Sequence, residues 1–417
     1  MNYFVSLHSI MKKRLIFGLS MLLSSTLFAQ TEGVVSVVDS VVVDSIEQQL
    51  PWPNCMQVRL DSMMRDPLLD YTQLGLMVWD LTDDRPLFSY NQKQLLRPAS
   101  TMKLLTAITA LDRLGDNYQY RTSLYYKGEI VGHTLQGDLY CVGGMDPAFD
   151  ADDLRIFANA LKQVGVDTIS GSIVADASLK DTLIWGEGWC WDDDNPDLSP
   201  LLVGRKTGFV RRFTNALTEA EVYLNDVSTT TGTLPSDAVL VCERKRSIDQ
   251  ILQRMMKDSD NLYAESMFYQ IAANSHRPGR AIDAARVERA LIERTGLNSS
   301  HYRIADGSGL SLYNYLSPEV EVRILRYTFM HQAIYEHLLP SLPIAGEDGT
   351  LKKRMKDTSA AGNVQAKTGT VTGVSALAGY CTASNGHRLC FSIMNQGIEK
   401  SSDGRAFQDK VCMILCD

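Results

Sequence analysis

The apolar pattern along the chain changes period twice, and this constrains the fold more than any other feature. From Pro98 through Leu104, Ile108 and Leu111, apolar residues recur at three-to-four spacing, the signature of an amphipathic helix. From Tyr118 to about Leu240 short β-prone runs take over, broken by Gly, Asp and Pro. Thr122 to Tyr126, Asp138 to Val142, Ser172 to Ala175 and Ala238 to Cys242 are examples. Helical spacing returns over Asp249 to Asn274, Ala281 to Thr295 and Pro318 to Phe329. The chain closes with strands between Gln365 and Met394 and a helix from about Asp403 to Ile414. Near its start, helical spacing at Cys55 to Met64 precedes a hairpin of Leu74 to Leu81 and Pro86 to Tyr90. Strands at both ends around a helical middle predict one α/β (α+β) domain built from residues 54–116 and 245–417. A mostly β domain is then inserted at 117–244.

Charge and targeting signals narrow the function classes. The 417 residues carry 41 Lys and Arg against 49 Asp and Glu, a net charge of −8, and no basic run exceeds three residues. Sequence-independent nucleic-acid binding needs clustered positive charge, so that class is set aside. Lys12-Lys13-Arg14 precedes the apolar stretch Leu15 to Leu23, then small residues and Ala29. A basic start, a short apolar run and a small residue describe a secretory signal peptide, here residues 1–29, followed by a Val/Ser/Asp-rich linker at 30–53. The apolar run is too short to span a bilayer, which takes about 20 residues. The mature protein is expected in the periplasm, peripheral to the membrane at most.

Export permits disulfides among the eight cysteines. Asn385-Gly386 is a strong hairpin signal between two β-prone runs. A two-residue loop would set Cys381 opposite Cys390 at a non-hydrogen-bonded position, with Cα atoms about 4.5 Å apart, within disulfide reach. Two free, half-buried thiols are the equally weighted alternative. Cys412 and Cys416 sit one helical turn apart, and one of them is expected to pair with Cys55 if the terminal helices pack together.

Three short patterns carry chemistry: Ser100-Thr101-Met102-Lys103, Ser259-Asp260-Asn261 and Lys367-Thr368-Gly369. Together they match the active-site set of penicillin-binding proteins and serine β-lactamases. Singly they are weak, since SxxK and SxN each arise about once by chance in a chain this long. Ser9-Ile10-Met11-Lys12, Ser89-Tyr90-Asn91 and Lys206-Thr207-Gly208 are such decoys. The first lies in the signal segment and the others stand in the wrong order, so each is read as ordinary surface or loop sequence.

The trio contains the residue types its chemistry needs. A serine hydroxyl becomes a good nucleophile only when an adjacent base takes its proton. Lys103, three residues on from Ser100, lies on the same helical face. Its pKa must fall from about 10.4 to roughly 7–8, and burial and a neighbouring cation, Lys367, both push it down. Ser259 can pass the proton to the leaving amine, and Asn261 can hold the substrate amide carbonyl. Lys367 and Thr368 offer charge and hydroxyl to a substrate carboxylate, on a strand whose edge pairs with the substrate backbone. The backbone N–H groups of Ser100 and Thr370 supply the oxyanion hole. This mechanism calls for no metal or cofactor, and no HExxH or paired CxxC appears.

Longer stretches carry a resemblance. RPASTMK (97–103), QGDLYCVGGMDP (136–147), SDNLYAE (259–265), DGSGLS (306–311), GEDGTL (346–351) and AKTGTVTGVSALAGY (366–380) resemble, in order, the D-Ala-D-Ala carboxypeptidase/endopeptidases of the class C low-molecular-mass penicillin-binding proteins. The resemblance implies a penicillin-binding-protein/β-lactamase-like domain, with an antiparallel sheet between helices. It also implies a serine DD-peptidase acting on peptidoglycan stem peptides, trapped by β-lactams as an acyl-enzyme at Ser100. The catalytic set is then Ser100, Lys103, Ser259, Asn261 and Lys367, with Thr368, Gly369 and Thr370 binding substrate. Asp146 either binds the amine of the stem peptide's diamino acid or only forms an Asp-Pro turn. Leu312 stands where relatives often carry Arg, and Asp306 to Gly309 is read as a Gly-rich turn without a catalytic part. The rivals are a serine β-lactamase, for which Glu221-Val222-Tyr223-Leu224-Asn225 fits a class A pattern out of order, and a non-catalytic peptidoglycan-binding or penicillin-sensing protein.

Overall fold

The structure, a computed structural model, describes residues 50–193 and 195–417. The expected signal peptide and nearly all of the linker lie outside the described residues. The chain forms two units, Met1–Met63 and Met64–Asp417. In the first, helix α1 (Asn54–Met63) follows Pro51-Trp52-Pro53. The second holds every chemistry-bearing motif.

Within the second unit, strands β1 (Gln73–Asp80) and β2 (Arg85–Tyr90) form the expected hairpin, and helix α2 (Met102–Leu114) follows a 3₁₀ turn at Ala99–Thr101. Next come β3 (Gln119–Val131), β4 (Thr134–Val142), α3 (Ala151–Gln163), β5 (Thr168–Ser170), β6 (Ser172–Asp176), α4 (Phe209–Glu219), β7 (Tyr223–Leu224), β8 (Ser228–Thr231) and β9 (Val239–Ser247). Helices α5 (Ile248–Lys257), α6 (Asn261–Ser275), α7 (Ala281–Arg294), α8 (Pro318–Met330) and α9 (Gln332–Ser341) lead to strands β10 (Gln365–Val371), β11 (Val374–Thr382) and β12 (Arg388–Gln396) and to helix α10 (Ser401–Cys416).

Two sheets result. The first is antiparallel, ordered β10-β11-β12-β1-β2, so the beginning and end of the unit join where β1 pairs β12 from Gln73↔Gln396 to Asp80↔Leu389. Helices cover both of its faces, which is why β1, β11 and β12 are buried along nearly their whole length. Tyr380 donates to the Leu325 carbonyl of α8 on one face, at 2.9 Å, and Ser375 accepts from Gln408 of α10 on the other, at 3.0 Å. Strand β10 is an edge, with its outer side open for most of its length.

The second sheet is mixed: β3 pairs antiparallel with β4 and β9, and β4 runs parallel to β5 and β6. Its core groups Phe149, Phe157, Phe209 and Phe213 in tilted and edge-to-face contacts. All the fully packed members of that core fall between Leu124 and Val222, and on this ground we propose 117–244 as an inserted domain. It is less purely β than predicted, because α3 and α4 cover the sheet.

Three further expectations change. The pattern from Asp249 to Asn274 is two helices, separated by Asp258 to Asp260, with Ser259 in the left-handed region at φ 61°. The β11–β12 hairpin has a longer turn than Asn385-Gly386 alone. Thr382 pairs Arg388, Gly386 sits at φ 89°, and Tyr380 opposes Cys390 while Cys381 opposes Leu389. A one-residue change of register moves side chains to opposite faces. Cys390 therefore packs against the Val322 carbonyl of α8, whereas Cys381 lies beside Cys412 and Cys416 of α10. All eight cysteines are free thiols, including Cys55, so neither expected disulfide is present.

Candidate active site

The turn before α2 sets up the site. Ala99 holds φ 47°, a costly conformation for a residue with a Cβ, and it delivers half-buried Ser100 to the start of the helix. A Cβ on Gly369 would lie 2.6 Å from the Pro98 carbonyl oxygen and 3.2 Å from Ser100 N. Only glycine lets edge strand β10 approach this close. Gly309, at φ 79°, is constrained likewise, since a Cβ there would meet the Ala99 carbonyl.

Lys103, 0 % exposed, donates to Ser100 Oγ at 2.9 Å, Asn261 Oδ1 at 2.8 Å and the Ser308 carbonyl at 2.8 Å. These three acceptors satisfy all three donors of an ammonium. Burial lowers its pKa to about 8, with Asp306, Glu265 and Asp260 opposing the fall. Lys367, also 0 % exposed, donates to Ser259 Oγ and to the Thr368 carbonyl, both at 2.8 Å. Its pKa falls well below the ordinary value, first through burial and then through the charge of Lys103. The repulsion between the two lysines thus weighs on Lys367, whereas the sequence argument had placed it on Lys103.

The break between α5 and α6 presents Ser259 and Asn261. Asp260 caps α6 by accepting from Leu262 N at 3.1 Å and Tyr263 N at 3.4 Å. Thr368 is bonded to the Thr350 hydroxyl at 2.8 Å, and Thr370 is exposed on β10. These contacts bring Ser100, Lys103, Ser259, Asn261, Lys367 and Gly369 together at one cleft, with Thr368 and Thr370 on either side of Gly369 along β10. Beside Ser259 the cleft opens into a cavity of about 440 Å³, lined by Asn195, Pro196, Arg205, Lys206 and residues 259–262.

Asp146 does not line this cavity. It is 1 % exposed, accepts from Ala148 N at 2.9 Å and lies 3.8 Å from Arg246. Burial raises its pKa to about 6. The Ala148 contact is that of an Asp-Pro turn, and Oδ2 has no hydrogen-bond partner among the described residues. Glu221 is an exposed turn residue 3.8 Å from Lys162.

Sequence reasoning underrated the Asp306 to Gly309 turn. Asp306 accepts from Trp189 Nε1 at 2.8 Å, Gly309 N at 2.8 Å, Ser311 N at 2.6 Å and Asn314 Nδ2 at 2.6 Å. Glu265, fully buried and with its pKa pushed up to about 8 chiefly by burial, accepts from Gly307 N at 3.1 Å and Ser308 N at 2.8 Å. Together they aim the Ser308 carbonyl at Lys103. The signal was present in the SDNLYAE and DGSGLS stretches, but a positioning role leaves no reactive residue type to notice. Among the described residues, Asp80, Asp83 and His387 bring ligand-type atoms within 4.8 Å of one another. Asp80 is already occupied by His387 Nδ1 at 2.9 Å and by Thr82 N at 2.9 Å.

Known proteins resemble this chain in sequence and in fold. A D-alanyl-D-alanine carboxypeptidase of Actinomadura sp. (strain R39) is 28% identical, covering 86% of this chain and 84% of its own length. The D-alanyl-D-alanine carboxypeptidase DacB of Haemophilus influenzae is 24% identical over 79% of this chain and 86% of that protein. The crystal structure of penicillin binding protein 4 (dacB) from Haemophilus influenzae superposes with a TM-score of 0.76 at 22% identity, covering 85% of this chain and 97% of that one. Bd3459, a peptidoglycan endopeptidase from Bdellovibrio bacteriovorus, shares the fold at a TM-score of 0.54 and 17% identity, over 82% of this chain and 91% of that one. Residues 56–202 and 205–416 match the D-Ala-D-Ala carboxypeptidase 3 (S13) family, and a chain that also folds its serine and two lysines into one cleft belongs to that family of serine peptidases.

Proposed function

We propose that the protein is exported to the periplasm. There it cleaves D-Ala-D-Ala termini or D-amino-acid cross-links of peptidoglycan stem peptides, and β-lactams inhibit it by acylating Ser100. Among the described residues no helix is long and apolar enough to cross a membrane. The observation that carries the reading is the Lys103 amine, 2.9 Å from Ser100 Oγ and bonded in turn to Asn261.

In the first step neutral Lys103 takes the Ser100 proton as Oγ bonds to the carbonyl carbon of the penultimate D-Ala. The oxyanion forms between the N–H groups of Ser100 and Thr370. Its collapse breaks the C–N bond. Lys103 gives up the proton it took, and Ser259, bonded to Lys367, passes it on to the departing amine, which leaves Lys103 neutral again. Lys367 and Thr368 hold the terminal carboxylate, and the open edge of β10 pairs with the peptide backbone. Water then attacks the ester carbonyl as Lys103 takes its proton, and the same proton returns to Ser100 Oγ when the acid leaves. Turnover of an acetylated peptide ending in D-Ala-D-Ala, lost in Ser100→Ala, is the expected result. A wild-type protein that binds such peptides without releasing D-Ala would instead favour a sensing role.

A further inference from the structure

We propose that Arg205 and Lys206 form an anion subsite in the cavity beside Ser259 and Asn261. It takes a carboxylate carried by the acyl side of the peptide substrate, one or two residues before the scissile bond. The proposal rests on the peptidase reading of the cleft and adds a specificity element from the 117–244 region.

Position comes first. The cavity lining includes Ser259 and Asn261 but no residue of β10. It therefore extends from the Asn261 side of the cleft, which in the peptidase reading receives the acyl half of the substrate. Its volume, about 440 Å³, lies within the range that holds small ligands.

The cations are also built into place. Val203 and Lys206 exchange backbone hydrogen bonds at 3.0 and 3.3 Å across Gly204 and Arg205, which sit at φ 56° and 70°. Two consecutive positive φ values make a tight turn of the I′ kind, and holding Arg205 there needs outside support. That support comes from Gly204 N donating to the Phe149 carbonyl at 2.8 Å and Arg212 donating to the Val203 carbonyl at 3.1 Å. Thr207 N donates to Asp197 Oδ2 at 3.1 Å on the other flank. The two basic side chains are thus carried at the tip of a braced turn, facing the break between α5 and α6.

Among the described lining residues the cations outnumber the carboxylates. Asp260 is the one carboxylate among them, and it is already engaged by Nη1 and Nη2 of Arg205, by Arg254 Nε at 3.1 Å and by two amides of α6. Lys206 forms no ion pair among the described residues. The first turn of α6 adds the positive end of a 15-residue helix to the same wall. A neutral side chain would leave this field unanswered, whereas a carboxylate meets it with charge-assisted hydrogen bonds.

The test uses two pairs of acetylated peptides, each ending in D-Ala-D-Ala. In one pair a carboxylate or a carboxamide is carried one residue before the scissile bond, and in the other it is carried two residues before. Wild-type kcat/KM should favour the carboxylate of at least one pair by about tenfold, mainly through KM, with the preference shrinking in high salt. Lys206→Ala should bring the ratio close to one, and Lys206→Glu should invert it. Penicillin acylation of Ser100, measured on the same samples, reports that the cleft is intact. Equal turnover of carboxylate and carboxamide peptides by an acylatable wild-type protein would overturn the subsite alone. Failure of the wild-type protein to acylate would overturn the peptidase reading and the subsite with it.

Discussion

The two Lys-Thr-Gly triplets of this chain share three letters and nothing of their physics. Lys206 stands exposed on a turn, and Gly208, at φ 92°, begins α4 with open space around it. Lys367 is buried on an edge strand, bonded to Ser259, and Gly369 is pressed against Pro98 and Ser100. One lysine stands in water, while burial and the charge of Lys103 push the pKa of the other well down. Function follows from what surrounds a triplet. Burial fixes the side chain, and close backbone contact puts the strand beside Ser100.

The contrast can be broken experimentally, beginning with the largest effect. Lys103→Ala removes the base and leaves Asn261 and the Ser308 carbonyl without their donor. Acylation by a labelled penicillin should fall by about 10³–10⁴-fold, read by stopped-flow or quench. Lys367→Ala should cost about 10²-fold or more in acylation, whereas Lys206→Ala should act on peptide preference. If the two lysine variants acted alike, the contrast would be lost.

The glycines give the next test. Gly369→Ala must push β10 away from Ser100, and a displacement near 1 Å costs about 10²-fold in rate. Gly208→Ala meets only the tip of Arg211 at 3.9 Å. It should instead lower unfolding stability by about 1 kcal/mol through its positive φ, measured by denaturant titration.

pH provides a graded version of the same comparison. Lys103 acts as base only when neutral, and its pKa is lowered from 10.5 to about 8. The acylation rate should therefore climb as pH rises from 6 and level off above about 8. A rate flat across that range would remove Lys103 as the titrating base. The smallest effect is expected for Glu265→Gln. With its pKa near 8 the carboxyl is largely protonated at neutral pH, and the amide oxygen can still accept from Gly307 and Ser308. Acylation should change only a few-fold, while Glu265→Ala, which frees the loop, should cost more.

These residues also mark how far the sequence could be read. Ser100, Lys103, Ser259, Asn261 and Lys367 were legible because each is a reactive type in a fixed local pattern, and their order separated them from the decoys. The antiparallel sheet was legible in β1, β2, β11 and β12 from β-prone runs bounded by turns. Register was not: Asn385-Gly386 announces a hairpin, but the longer turn decides whether Cys381 faces α8 or α10. Helix α4 carried a readable stripe in Phe209, Phe213, Ala216 and Leu217, hidden by the β-prone texture around it. The break at Ser259 is dictated by tertiary contact with Lys367, and periodicity alone runs straight through it. Asp306 and Glu265 work through backbone hydrogen bonds across long sequence separations, which no local pattern records.

The account stands on Ser100 as the nucleophile, prepared by Lys103. Intact-protein mass spectrometry after penicillin treatment, followed by peptide mapping, tests this most directly. One covalent adduct is expected, carried by the peptide containing Ser100 and absent from Ser100→Ala and Lys103→Ala. An adduct on another side chain, or full labelling of Lys103→Ala at the wild-type rate, would contradict it.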